Sequence, residues 1–111
     1  MKDDRLYVEQ MLDAASKIVE FTADVRPAAF AANREKQSAV ILQLAIIGEN
    51  AKRLSDGFKN RVPLPWKQIA GFRDRAIHDY LSLDLDEVWK TVESDIPALV
   101  AALKPEISSP S

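Results

Sequence analysis

Apolar side chains recur every three or four residues along most of the chain, and this spacing places them on one face of an α-helix. The 111 residues include only three glycines, and several segments are rich in Ala, Leu, Glu, Lys and Arg, which favour helices. The pattern predicts an all-α fold, a four- to five-helix up-and-down bundle with short connections.

The first half of the chain predicts two long helices. The first runs from about Asp3 or Asp4 to about Ala23, and Pro27 prevents its continuation. Its predicted inner face consists of Leu6, Met11, Leu12, Ala15, Ile18 and Val19, with Thr22 as a further candidate. Residues 28–32 form a short helical turn, and Asn33 caps a second helix from about Arg34 to Ser55. Gly57 is the predicted stop of that helix.

The second half predicts two more helices after a linker at 57–65 that contains two prolines. The third helix begins near Pro65 or Trp66 and ends between Asp79 and Leu81. Residues 82–84 cap the fourth helix, which starts at Asp84 or Asp86 and which Pro97 kinks or splits near Ser94 or Asp95. Residues 105–111 are polar and predict a flexible tail, so the folded domain spans 1–104.

Two glycines lie inside predicted helices, where glycine costs about 1 kcal/mol relative to alanine. Gly48 lies in the second helix and Gly71 in the third. We expect another part of the chain to approach the backbone at both positions.

Charge is distributed unevenly. The net charge is −2, but the segment 52–75 has seven basic and two acidic residues, a local charge of +5 that leaves −7 for the rest. Such a segment can present a basic face to phosphate. Alternatively, Lys52, Arg53 and Lys59 only complement the dipole at a helix C-terminus.

The composition limits the types of site that the chain can form and the cellular compartment that it fits. The sequence has no cysteine, which excludes disulfides and cysteine-zinc sites and fits a cytoplasmic protein. The first residues are charged and show no export signal, and no apolar stretch is long enough to cross a membrane.

The segment 73–80, RDRAIHDY, contains the only histidine together with two arginines, two carboxylates and a phenol. On a continuous helix, Arg73 and Tyr80 fall on nearly the same line, and Asp74 lies one turn before His78. A carboxylate there can orient the imidazole. The segment also fits a solvated helix surface, on which Arg75 and Asp79 form an ordinary ion pair and Tyr80 is a hydrogen-bonded residue at the helix end.

These residues resemble a known family. The spacing Arg73-x4-His78 followed by Tyr80 resembles the Arg-x(4–6)-His signature of HEPN domains, and the chain is similar to the HepT-like branch, the toxin half of HepT/MntA toxin–antitoxin pairs. The segments IGENAKRL at 47–54, PWxxIAG at 65–71 and DxxxVW at 84–89 carry the same resemblance, which spans roughly residues 4–103. In that family Asn is the usual residue after the arginine, where this chain has Asp74.

The resemblance implies a homodimer that cleaves RNA at a cleft between two Arg-x4-His helices, without metal or cofactor. His78 would act as acid or base and Arg73 would stabilise phosphate charge, with Asp74 orienting His78 and with Glu49 and Arg75 in support. Glu49 either pairs with Arg73 across the bundle or faces solvent. An MntA-like nucleotidyltransferase antitoxin would adenylylate Tyr80.

A second hypothesis is not enzymatic. The chain would be a helical module that dimerises and binds a nucleotidyltransferase or another partner, and the motif would serve packing. The net negative charge and Asp74 favour this alternative.

Overall fold

A computed structural model describes residues 2–108, which form α-helices joined by short turns and include no strand. The helices are α1 (Lys2–Thr22), α2 (Pro27–Ala31), α3 (Arg34–Arg53), α4 (Asp56–Arg61), α5 (Trp66–His78), α6 (Leu85–Lys90) and α7 (Ile96–Ser108). The predicted all-α bundle is confirmed. Of the helices described, none combines the length and apolar character that crossing a membrane requires.

Helix α3 is the centre of the bundle, with α1 packed on one side and α5 on the other, while α7 packs on α1. The most deeply buried large side chains come from α1, α2, α3 and α7 and include Met11, Ile18, Phe30, Ile47, Ile96, Leu99 and Leu103, while α5 contributes Ile69 and Phe72 to the core. Because α3 is shared by both sides, its apolar stripe is the part of the core that positions α5.

The buried stripe of α1 differs from the prediction at its two ends. Leu6 and Val19 are exposed, whereas Val8 and Ala14 are buried. The buried positions 4, 8, 11, 15 and 18 advance by four and three residues, so they form one continuous stripe, and residue 6 falls on the opposite side of the helix.

Two predicted helix caps are confirmed. Asn33 accepts a hydrogen bond from the Lys36 backbone N–H at the start of α3. Asp84 accepts from the backbone N–H groups of Asp86 and Glu87 at the start of α6. Short polar side chains at these positions satisfy N–H groups that have no partner inside the helix.

The predicted linker 57–65 is wrong in its first half, because helix α4 occupies Asp56–Arg61 and includes Gly57. Ser55 caps α4 by accepting from the Phe58 N–H. The Asp4 carboxylate, buried at the start of α1, accepts from the Ser55 N–H at 2.9 Å and from its hydroxyl at 2.6 Å. This long-range contact, which local sequence cannot reveal, stabilises the start of α4.

The last helix is interrupted where Pro97 predicts it. Residues Thr91–Asp95 form a wide π-helical turn between α6 and α7, because Pro97 has no N–H to donate to the preceding turn.

Helix α7 then continues to Ser108, four residues past the predicted boundary of the domain. The Arg5 guanidinium donates to the carbonyl oxygen of Ile107 at 2.9 Å, and Arg61 pairs with Glu106. These contacts account for the helical state of residues 105–108, which the sequence assigns to a tail. Residues 109–111 of that predicted tail lie outside the described part of the chain.

Candidate active site

Helices α3 and α5 approach each other closely at Gly48. A Cβ atom placed on Gly48 would lie 2.7 Å from the Arg73 backbone nitrogen and 3.0 Å from the Ile69 carbonyl oxygen, distances too short for any side chain. The close approach predicted at Gly48 is therefore confirmed. At Gly71 the nearest atom is Arg75 Nη1 at 3.7 Å, which is ordinary contact, so the prediction for Gly71 is wrong.

Charged side chains of α3 and α5 form a connected network beside this contact. Arg73 Nε lies 3.2 Å from Glu49 Oε2, and Arg73 Nη1 lies 3.3 Å from Asp74 Oδ1. Lys52 Nζ lies 2.6 Å from the same Asp74 oxygen, and Arg53 Nη2 lies 3.4 Å from Glu49 Oε1. Of the two alternatives for Glu49, the structure has the pair with Arg73.

Asp74 is held by cations rather than by the histidine. The hydrogen bond from Lys52 is the largest influence on the pKa of the Asp74 carboxyl; desolvation opposes it, Arg73 reinforces it, and the net effect lowers the pKa below its usual 3.8. Asp74 is thus anionic at neutral pH. Among residues 2–108 no hydrogen bond joins Asp74 to His78, so the predicted orienting contact is absent within one chain. The cations attract the carboxylate more strongly than a neutral imidazole would.

His78 is the last residue of α5, and its side chain is exposed to solvent. Within the described part of the chain its imidazole makes no hydrogen bond. His78 follows Arg73 by five positions along the helix, which places their side chains about 140° apart around the axis of α5. One chain therefore presents the two motif side chains in different directions.

Tyr80 lies beyond the end of α5, so the prediction that one helix carries both Arg73 and Tyr80 is wrong. Asp79 leaves helical geometry (φ −121°, ψ 22°), and Tyr80–Ser82 form a 3₁₀ turn. The Tyr80 hydroxyl nevertheless returns to α3, where it lies 2.8 Å from the Ser38 hydroxyl. A contact between helices, and not helical spacing, thus places Tyr80.

Tyr80 and Arg73 mark the two ends of one surface, which we call the α3–α5 face: Ser38, Leu42, Ala45 and Glu49 of α3, with Arg73, Ile77, Tyr80 and Leu81. The α3 residues follow each other at four-, three- and four-residue steps and therefore share one side of the helix. Leu42, Ile77 and Leu81 are 58%, 54% and 99% exposed. Three large apolar side chains are thus exposed along this stretch of α3 and α5 and the turn after α5.

Arg75 and Asp79 belong to another surface and do not form the predicted ion pair. The Arg75 guanidinium lies over the Phe72 ring, 5.4 Å from its centroid. This is a cation–π contact, in which the face of the ring attracts the positive charge of the guanidinium. Both residues line a cavity of about 300 Å³ between α3, α5 and α6. Arg75 is therefore separate from the charged network around Arg73.

Lys52 is the residue of the site that sequence reasoning missed. Lys52 belongs to the basic segment 52–75, but only its position one helical turn after Gly48 signals that it can reach α5. Arg61 of the same segment pairs instead with Glu106 of α7. No group of three or more His, Cys, Asp or Glu side chains in residues 2–108 is arranged to hold a metal ion.

Comparison with known proteins places this geometry in a family. The model of the family described as "Ribonuclease HepT-like" matches residues 11–105, a range that includes α3, α5 and the whole charged network. The chain belongs to the HepT-like ribonuclease family. Membership and the all-helical architecture together confirm the HEPN-type bundle predicted from the sequence.

Several relatives match along most of their length. A protein of Thermococcus cleftensis named probable ribonuclease HepT is 40% identical over 94 residues, which cover 84% of this chain and 86% of that protein. A protein of Methanocaldococcus jannaschii named as an RNase is 33% identical, covering 88% of this chain and 91% of that protein. Another, from Caldanaerobacter subterraneus subsp. tengcongensis, is 32% identical and covers 94% of each. No solved structure matches the chain significantly.

The close approach at Gly48 gives a matched pair of glycine variants. Gly48→Ala should lower the free energy of unfolding by about 1–3 kcal/mol, because the added methyl group meets the backbone of α5. Gly71→Ala should leave it unchanged or raise it by up to about 1 kcal/mol, because alanine is the better helix former. Urea denaturation followed by circular dichroism measures both. Equal midpoints for the two variants would contradict the close contact.

Proposed function

We propose that this protein is the toxin of a toxin–antitoxin pair, a metal-independent endoribonuclease that acts in the cytoplasm through Arg73 and His78. The observation that carries the proposal is the Arg-x4-His pair on α5, with Arg73 partly exposed and His78 exposed, in a chain whose relatives are named as ribonucleases. The charged network that includes Arg73 adds a site suited to phosphate.

The residue chemistry fits cleavage beside a ribose 2′-hydroxyl. A base removes the hydroxyl proton as the oxygen attacks phosphorus, and an acid protonates the departing 5′-oxygen. An imidazole can serve either role near neutral pH. Arg73 then stabilises the negative charge that develops on the phosphorane oxygens. One chain has a single histidine, so an acid and base made of two imidazoles requires two chains.

A homodimer across the α3–α5 face would supply the second imidazole. Twofold symmetry is the commonest arrangement of homo-oligomers, and pairing on this face would bury Leu42, Ile77 and Leu81. It would also bring the partner's motif towards Arg73, which lies about 140° around α5 from the His78 of its own chain.

Tyr80 would be the site at which a nucleotidyltransferase antitoxin silences the enzyme. Its hydroxyl is on the α3–α5 face, hydrogen-bonded only to an exposed serine among the described residues. Attachment of AMP there would add bulk and a negatively charged phosphate to the surface that receives RNA.

The alternative of a non-catalytic binding module has one specific observation in its favour. Asp74 already forms ion pairs with the Arg73 guanidinium and the Lys52 ammonium, the groups that would bind an RNA phosphate. A folded dimer that binds its nucleotidyltransferase but cleaves no RNA would support this alternative.

The first test concerns catalysis. Arg73→Ala and His78→Ala should each reduce RNA cleavage by about 10²–10⁴ without unfolding the protein, because loss of charge stabilisation or of acid–base help raises the barrier that much. Initial rates on a fluorescent RNA, measured in EDTA, report the change. Arg26→Ala, an exposed arginine at the start of α2, is the control. Undiminished cleavage by both motif variants would place the nuclease elsewhere.

The second test concerns the dimer. The protein should have a dimeric mass by light scattering at tens of micromolar, and Ile77→Asp should make it monomeric and inactive, because two carboxylates would enter the symmetric interface. Val19→Asp is the matched control, since Val19 and Ile77 are both 54% exposed but Val19 lies on α1. A strictly monomeric parent protein would remove the composite site.

The third test concerns Tyr80. Incubation with the cognate nucleotidyltransferase and ATP should add AMP groups detectable by mass spectrometry and stop RNA cleavage. Tyr80→Phe should prevent the labelling and retain cleavage, because only the acceptor oxygen is lost. Tyr7 is the other tyrosine, and undiminished labelling of Tyr80→Phe would identify a different acceptor.

A further inference from the structure

We propose that Lys52 is a second phosphate-binding residue of the RNA site. In the free protein the Asp74 carboxylate forms ion pairs with Lys52 and Arg73, and it takes the position that an RNA phosphate would have. The inference rests on the proposed ribonuclease function. It adds a residue on α3 to a motif that lies on α5.

The first observation is a single anionic oxygen held between two cations. Asp74 Oδ1 accepts from Lys52 Nζ at 2.6 Å and lies 3.3 Å from Arg73 Nη1. A non-bridging phosphate oxygen carries the same charge and accepts the same donors. The position of Oδ1 therefore marks a place where a phosphate oxygen of the RNA backbone can bind both residues.

The second observation is that RNA can reach these groups. The side chains of Lys52, Arg73 and Asp74 are 37%, 36% and 50% exposed. Ion pairs this exposed contribute little to stability, so the carboxylate can rotate away when a phosphate arrives. The two cations would stay close together, because the buried core fixes the backbones of α3 and α5 in the close approach at Gly48.

The third observation is the charge of the network. Lys52, Arg53 and Arg73 carry three positive charges, and Glu49 and Asp74 carry two negative ones. Asp74 thus halves the excess positive charge that the same network would have with a neutral residue at that position. When a phosphate replaces the carboxylate at Lys52 and Arg73, both cations keep an anionic partner.

Binding of RNA that cannot be cut tests the inference separately from catalysis. The probe is a fluorescent single-stranded RNA with 2′-O-methyl groups on every ribose, which removes the attacking hydroxyl. Fluorescence anisotropy over a series of KCl concentrations gives the Kd and its dependence on salt. Lys52→Ala should weaken binding about tenfold and reduce the slope of log K against log salt by about 0.7, the value for one phosphate contact on a single strand.

Asp74→Asn should have the opposite effect and tighten binding several-fold, because it removes the negative charge that Lys52 and Arg73 share while preserving the size of the side chain. Combined with Lys52→Ala, the same substitution should gain less, since Arg73 alone then loses an anionic partner and still pairs with Glu49. Lys52→Arg should retain most of the affinity because it keeps the charge.

Lys17→Ala is the matched control. Lys17 is also an exposed lysine in an ion pair, 3.3 Å from Asp13 on α1, but it lies away from the α3–α5 face. If Lys52→Ala binds RNA as tightly as Lys17→Ala, or weakens binding with no change in salt slope, Lys52 is a structural bridge and the inference fails. If the folded parent protein binds no RNA at all, the proposed ribonuclease function fails and the inference fails with it.

Discussion

The contact between α3 and α5 at Gly48 is the constraint on which the candidate site depends. Because Gly48 has no side chain, the Arg73 backbone can lie against α3, and the Arg73 side chain then meets Glu49, the next residue of α3. Lys52, one turn further, reaches the residue after Arg73. A larger residue at position 48 would place a Cβ atom 2.7 Å from the Arg73 backbone nitrogen. The helices would have to move apart, and all of these pairs would shift together.

The same contact explains how weak interactions give a defined site. Each ion pair of the network is exposed and contributes little on its own, so the network does not hold the helices together. The buried side chains Ile47, Ala51, Ile69 and Phe72 do, and they fix the backbone from which the charged groups extend. Packing therefore supplies the geometry, and the exposed charges remain free to exchange partners.

The sequence predicts the features of this structure that depend on a few neighbouring residues. Helix caps at Asn33 and Asp84, the break near Pro97 and the close approach at Gly48 each depend on one residue type in one backbone position. The partner of Asp74 and the position of Tyr80 depend on a neighbouring helix, which periodicity within α5 cannot reveal. Helical spacing predicts His78 as the partner of Asp74, but Lys52 of α3 offers a full charge at 2.6 Å.

In the proposed mechanism, three anions act on one surface in turn. In the free protein, the Asp74 carboxylate pairs with Arg73 and Lys52. An RNA phosphate replaces it during cleavage. When the antitoxin acts, an AMP phosphate attached to Tyr80 enters the same face. Repulsion between like charges makes these occupants compete even where they do not overlap. Asp74, as a fixed negative charge, would then weaken substrate binding in every state, and the enzyme would depend on cations from α3 to offset it.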